Sequence, residues 1–116
     1  MKQVLTIKGK LPSYNIFYSG SHWTVRQKLA ETWHEIVWAA VKKQKLKPVK
    51  DPVEIIYDIE FAKGTRDASN QAVKLLEDGL KKAGILIDDN YKYVLAYKVM
   101  IKKGREDKIK ITIIKL

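Results

Sequence analysis

Six residues carry most of the chemistry open to this chain. Asp67 precedes a helical pattern, Lys74, Glu77 and Asp78 lie within it, and Asp88 and Asp89 follow it side by side. Adjacent carboxylates repel one another and are costly unless a cation offsets them. A pair kept together in a basic chain invites a divalent metal, and hard oxygen donors select Mg2+ or Mn2+ over zinc. Asn70, Lys74 and Glu77 fall on one polar helix face. If the fold brings the 88–89 turn near the start of that helix, Lys74 stands where an ammonium could stabilise charge on a phosphoryl transition state. Each feature also has a plainer account. Asp-Asp-Asn is a common turn, because these side chains satisfy their own backbone. Lys74 with Glu77 is an ordinary surface pair one helical turn apart.

Other chemistries find little here. The chain has no cysteine, which excludes a disulfide scaffold, a thiolate zinc site and a cysteine nucleophile. His22 and His34 are the whole stock of histidine. His34 falls off the apolar stripe of its helix, beside Trp38, and reads as a solvated or interface residue. His22 lies in a loop beside Trp23, where it touches a phosphate or nothing. No nucleophile elbow, phosphate-cradling Walker loop or dinucleotide-binding glycine pattern is present.

Lysine and arginine together number 23 against 13 acids, a formal net charge of +10 over 116 residues. The length is that of one domain, residues 1–116. A charge this large on so small a domain points to a polyanionic partner, nucleic acid first, since each phosphate neutralised releases a condensed counterion. No stretch approaches the length of an apolar membrane span. The N-terminal pattern is not that of a secretory signal, so the expected location is cytoplasmic, with no membrane partner.

The elements that must position these residues follow from periodicity. Residues 2–8 predict a short strand, and residues 12–23, rich in Ser, Gly, Tyr and Asn, a loop. Thr24 and Gln27 form a capping-box pair. Beyond them Leu29, Trp33, Ile36, Val37, Ala40 and Val41 make the apolar stripe of a helix ending near Lys43. Residues 42–50 predict an exposed, lysine-rich connection. Val53, Ile55, Tyr57, Ile59 and Phe61 alternate as one buried face of a strand. A second helix is expected from Asn70 to Ala83, with Ser69 as N-cap, Gly84 as the C′ glycine and Val73, Leu76, Leu80 and Ala83 inward. Ile85 to Ile87 is a short apolar link, stopped by Asp88-Asp89-Asn90. Residues 93–102 and 108–116 predict two strands joined as a hairpin through Lys103 to Asp107. The order β-α-β-α-β-β fits an α+β two-layer sandwich, a mixed sheet with two helices on one face.

In that order, Arg66-Asp67-Ala68-Ser69-Asn70, Lys74, Glu77-Asp78-Gly79-Leu80, Ala83-Gly84-Ile85 and Asp88-Asp89 resemble the RusA family of Holliday-junction resolvases. Leu11-Pro12-Ser13-Tyr14-Asn15-Ile16-Phe17-Tyr18 is similar to that family's Pro-Ser-x-Asn-x-x-Tyr loop. The likeness spans most of the chain. It implies a homodimeric, Mg2+-dependent endonuclease of four-way DNA junctions, of a kind commonly encoded by phages or prophages and acting in recombination and repair, with no organic cofactor. Carried across by motif, Asp67, Asp89 and Lys74 are catalytic, and Asp67, Asp88 and Asp89 hold the metal. Lys42, Lys43, Lys63, Arg66, Lys81, Lys82, Lys102, Lys103 and Arg105 are candidates for holding the DNA arms by their phosphates. Tyr14, Phe17, Tyr18 and Trp23 would stack at the junction centre or pack on core or partner. Ser69 stands where the family's pattern has a second aspartate, and Lys74 follows Asn70 by one residue more than usual. Either the site works with three carboxylates, or Glu77 or Asp78 completes it, or the chain binds junctions with impaired or absent cleavage.

Overall fold

The computed structural model describes residues 2–14 and 23–116. Its elements run β1 (Lys2–Lys8), α1 (Trp23–Gln44), β2 (Val53–Phe61), a single 3-10 turn (Ala68–Asn70), α2 (Val73–Lys82), β3 (Val94–Lys103) and β4 (Lys108–Lys115). The strands form one mixed sheet in the order β1-β4-β2-β3. β2 is parallel to β3 and antiparallel to β4, and β4 is antiparallel to β1. This is the expected α+β mixed sheet with two helices.

The alternation in β2 is borne out at every position, with Val53, Ile55, Tyr57, Ile59 and Phe61 buried and the residues between them half-exposed. Cross-strand register carries the same face through Ile109, Ile111 and Ile113 of β4 to Leu5 and Ile7 of β1. Both helices cover that face. α1 supplies Trp33, Val37 and Val41, with Leu29, Ile36 and Ala40 half-buried beside them, and α2 supplies Val73, Leu75, Leu76 and Leu80. No helix among the described residues is long and apolar enough to cross a membrane.

The hairpin expected between β3 and β4 does not form, because β2 lies between them. A strand whose inward side chains are all buried needs a neighbour on each edge. Ile109, Ile111 and Ile113 are at most 2% exposed, so β4 takes an interior place. β3, with Leu95, Tyr97 and Met100 about half-exposed or more, suits the edge. The short link 104–107 crosses the end of β2, where the Gly104 N–H donates to the Phe61 carbonyl at 2.9 Å and a Cβ on Gly104 would meet the Glu60 side chain.

The second helix also starts later than its sequence suggests. Ala72, not Ser69, stands at its N-cap, with no side-chain cap. Tertiary pairing claims the residues before it. Gln71 bridges to Ser13, the Ala72 N–H donates to the Pro12 carbonyl at 3.0 Å, and the buried Gln71 amide binds Arg66 and the Asp67 carbonyl. Asn70 therefore leaves the helical face that Lys74 and Glu77 share. The C-terminal end follows the sequence, for Gly84 has φ of 81° at C′, a conformation glycine adopts without a Cβ penalty.

Two glutamines tie the connection after α1 to the edge of β1. The Gln44 side chain donates to the Thr6 carbonyl at 2.7 Å and accepts from its N–H at 2.9 Å. Gln3 does the same to the backbone of Lys47, with both bonds at 2.8 Å. Side-chain amides thus stand in for a missing strand on an otherwise open edge. The connection is exposed in its lysines, as expected, but anchored, with Val49 bridged to Leu86.

The two helices approach most closely at Gly79, where an added Cβ would sit 2.9 Å from Val37 Cβ. Gly79→Ala is therefore expected to lower unfolding free energy by about 1–2 kcal/mol despite alanine's better helix propensity. Adding Val37→Ala should make the alanine at position 79 less costly than it is alone, a coupling that denaturant unfolding of the double-mutant cycle measures.

Candidate active site

The crossover from β2 through α2 to β3 brings Lys74 to Asp89. The Lys74 ammonium pairs directly with the Asp89 carboxylate, and lies 3.4 Å from both Glu77 and Asp78. Helical spacing places Glu77 and Asp78 one turn beyond Lys74, while Asp89 returns on the turn after the helix. Lys81, two turns along, stands 3.7 Å from Asp88 and 3.9 Å from Asp89. Asp88 also shapes its own turn, since its carboxylate accepts the Asp89 N–H at 2.8 Å and the Asn90 amide at 3.3 Å. Both accounts of the Asp-Asp pair therefore hold together: it is a self-satisfied turn and it faces two lysines.

These groups shift one another's protonation. The Lys74 hydrogen bond holds Asp89 down at a pKa of about 2, against partial burial, with help from Asp88 and Lys81. Burial works against the charge of Lys74, but the bond to Asp89 and the charges of Asp78 and Glu77 outweigh it and raise its pKa. Glu77 moves the other way. Burial raises its pKa more than Lys74 lowers it, and Asp89 and Asp78 add to the rise.

The sequence places Tyr57 in the core and Tyr14 among the loop aromatics that stack or pack, and both come into play near this cluster. Tyr57 is fully buried on β2, yet its hydroxyl has no hydrogen-bond partner among the described residues. Burial, then the neighbouring Glu77 and Tyr14, push its pKa well up, so it stays a neutral phenol. The Tyr14 hydroxyl accepts the Lys74 backbone N–H at 3.3 Å. The strict alternation of β2 explained Tyr57 fully as a core residue. What marks it otherwise is a buried hydroxyl with no hydrogen-bond partner among the described residues, in the field of Glu77.

The remaining candidates are dispersed. Asp67 is exposed at the start of the 3-10 turn, and its carbonyl accepts from Asn70 and Gln71. No hydrogen bond or ion pair among the described residues joins its carboxylate to Asp88, Asp89 or Lys74, and none of the described His, Asp and Glu side chains form a metal-holding group of three. Arg66 is half-buried and bonds Gln71 at 2.8 Å, a structural contact as well as a charge. Lys102 pairs with Glu60 at 3.8 Å, and Lys42 lies 5.5 Å from the Trp38 ring centre. Lys43, Lys63, Lys82, Lys103 and Arg105 are exposed. Trp23 is 60% exposed. His34 is half-buried rather than solvated, and neither ring nitrogen has a partner among the described residues. Burial, then Lys82, lowers its pKa. Asn15, Ile16, Phe17, Tyr18 and His22 lie outside the described residues. Compared with protein-family models and with curated proteins, the chain matches none.

Two outcomes follow from the opposite shifts. Asp89, with its folded pKa at about 2 against an ordinary 3.8, adds stability above about pH 4 that is lost as pH falls toward 2. Denaturant unfolding between pH 6 and about pH 2 should therefore show the advantage of wild type over Asp89→Asn shrinking through that window. Glu77 has its folded pKa above the ordinary 4.5, so its contribution is present below that value and lost as pH rises. Glu77→Gln should raise the midpoint at pH 7 and change it least near pH 4.

Proposed function

We propose that the chain is a Mg2+-dependent endonuclease that hydrolyses phosphodiesters in four-way DNA junctions, acting as a homodimer. The observation that carries this reading is the meeting of Lys74 with Asp89 across the β2–β3 crossover, the two residues to which the RusA resemblance gives catalytic roles. The electrostatic balance supports it. Lys74 and Lys81 face four carboxylates, Glu77, Asp78, Asp88 and Asp89, and the uncompensated negative charge equals that of one divalent cation.

The donor set suits a hard ion. Asp89 and Glu77 both reach one cationic atom, the Lys74 ammonium, and Mg2+ characteristically takes one or two carboxylates while keeping several waters. The Tyr57 hydroxyl, buried without a partner among the described residues and within the field of Glu77, is a spare donor on the same side of the core. Asp89 and Glu77 would hold the ion, with Asp88 in the same turn as Asp89. Bound there, Mg2+ would supply an activated water and charge neutralisation at the phosphate. Lys74 carries a proton throughout the working pH range, so it acts as a fixed positive charge that stabilises the phosphoryl oxygens and orients Asp89. Lys81 holds the Asp88–Asp89 turn in place. Strands of a junction are related by an approximate two-fold axis, and an isologous dimer presents two such sites in matching positions.

A labelled four-way junction incubated with Mg2+ tests this. Wild type should give paired nicks that EDTA abolishes, and Asp89→Asn and Lys74→Ala should each slow them by about 100-fold or more. Junction binding without nicking would replace this reading with that of a non-cleaving binder, the state that the separation of Asp67 from Asp89 favours. A strictly monomeric species by light scattering would remove the dimer.

A further inference from the structure

The lysines nearest the carboxylate site account for only part of the charge excess. Beside the connection after α1, Lys2, Lys47, Lys50 and Lys115 line a groove of about 310 Å³ together with Pro48, Val49 and Ile113. Asp51 is the single acid lining it, paired with Lys115 at 3.2 Å where both side chains are about half-exposed. A pair that exposed is worth little and exchanges readily.

Two further observations separate this groove from an ordinary solvated surface. First, its backbone is held in place. The Gln3 and Gln44 amides clamp the connection to β1, and the Val49 N–H donates to the Ile85 carbonyl at 2.8 Å. Second, Lys45 leads into the groove with φ of 57°, the one non-glycine among the described residues in the left-handed region. It occupies the C′ position of α1, where the Leu46 N–H closes onto the Val41 carbonyl at 3.2 Å. Glycine is the favoured residue there, and a lysine costs about 1 kcal/mol. The macrodipole accounts for Lys42 and Lys43 in the last turn of α1, but not for Lys47, Lys50, Lys2 or Lys115 beyond it. A side chain retained against its conformational preference points to a use for its charge.

We propose, resting on the reading of DNA as the ligand and not on cleavage, that Lys2, Lys45, Lys47, Lys50 and Lys115 form a second DNA-backbone surface that grips the duplex arm running away from the carboxylate site. The connection itself joins the two regions, because Val49 is bridged to Leu86, two residues before Asp88. Lysines on a fixed backbone, with apolar residues between them and the Gln3 amide already engaged by the Lys47 backbone, suit sequence-independent phosphate binding.

The test measures fluorescence anisotropy of a labelled four-way junction from 50 to 300 mM salt. The proteins are wild type, Lys47→Gln/Lys50→Gln/Lys115→Gln and Lys45→Gly. The triple variant should weaken binding and flatten the log–log salt slope by about 2.7, near 0.9 for each phosphate left without its lysine. Lys45→Gly should flatten it by about 0.9 while leaving the thermal midpoint unchanged or higher, which separates removal of a phosphate partner from damage to the fold. Wild-type binding with unchanged slopes in both lysine variants would overturn this surface and leave the DNA reading standing. Failure of wild type to bind the junction at 50 mM salt would overturn both. Vesicles containing phosphatidylserine serve as the rival polyanion, and tighter capture by vesicles than by DNA, abolished in the triple variant, would also overturn it.

Discussion

The structure turns on β2. It is paired with β3 from Val53 to Phe61 and with β4 from Val53 to Glu60, and presents five buried side chains to the helices. An unbroken apolar face of that length is buried only in the interior of the sheet, and two strands must flank it. β4 has nearly the same demand, so it takes one flank and leaves the other to β3. Because β3 then runs parallel to β2, the chain between them must return over the sheet, and α2 is that return. The crossover sets the start of α2 and the turn before β3 on one side of the layer. Lys74 and Asp89 meet there. The candidate chemistry is thus a consequence of strand order, and strand order a consequence of which strands are too apolar to stand at an edge.

That dependence explains why the two ends of α2 behave differently in sequence and in structure. The C-terminal end is governed locally, by the conformational freedom of Gly84, and a local reading finds it. The N-terminal end is governed by Pro12 and Ser13, some sixty residues away in sequence, which take the hydrogen bonds that an N-cap at Ser69 would have used. The same long-range contact brings the Tyr14 hydroxyl to the Lys74 backbone. Local periodicity cannot report a competitor so distant. The strand pairing is a different case. The contrast between Ile109, Ile111 and Ile113 and the half-polar run of β3 was present in the residues, and it argues against a hairpin once edge exposure is weighed against loop length.

The candidate site was legible as a set of residue types and not as a geometry. Asp88-Asp89, Lys74 and Glu77 stand out because like charges sit close in a chain with few acids. Their convergence depends on the crossover, which no spacing rule contains. Asp67 shows the limit of motif reading, since order along the chain does not put its carboxylate in contact with the others. Tyr57 shows the converse. A residue fully explained by one role, filling the core, carries a second group, a buried hydroxyl without a partner among the described residues, that only the folded chain reveals. Gln3 and Gln44 gave no signal at all, because an amide that replaces a strand needs a partner backbone that sequence does not identify.

Charge links these parts. Within the carboxylate cluster the lysines are outnumbered, and burial makes that imbalance costly, as the raised pKa of Glu77 records. Around it the balance reverses, and lysines outnumber acids on the connection after α1 and along β4. A uniformly basic surface would attract polyanions without orienting them. A basic surface interrupted by a cluster of carboxylates would do both, since an anion drawn by the lysines is repelled by the acids. The fold keeps the two fields from cancelling by dividing them between elements. α2 and the turn after it hold the acids with only the lysines that neutralise them in part, while the connection after α1, clamped to an edge strand, holds lysines with almost no acid. Moving either element would collapse that division. The amide clasps on β1 and the Lys74–Asp89 pair are therefore electrostatic as well as structural restraints.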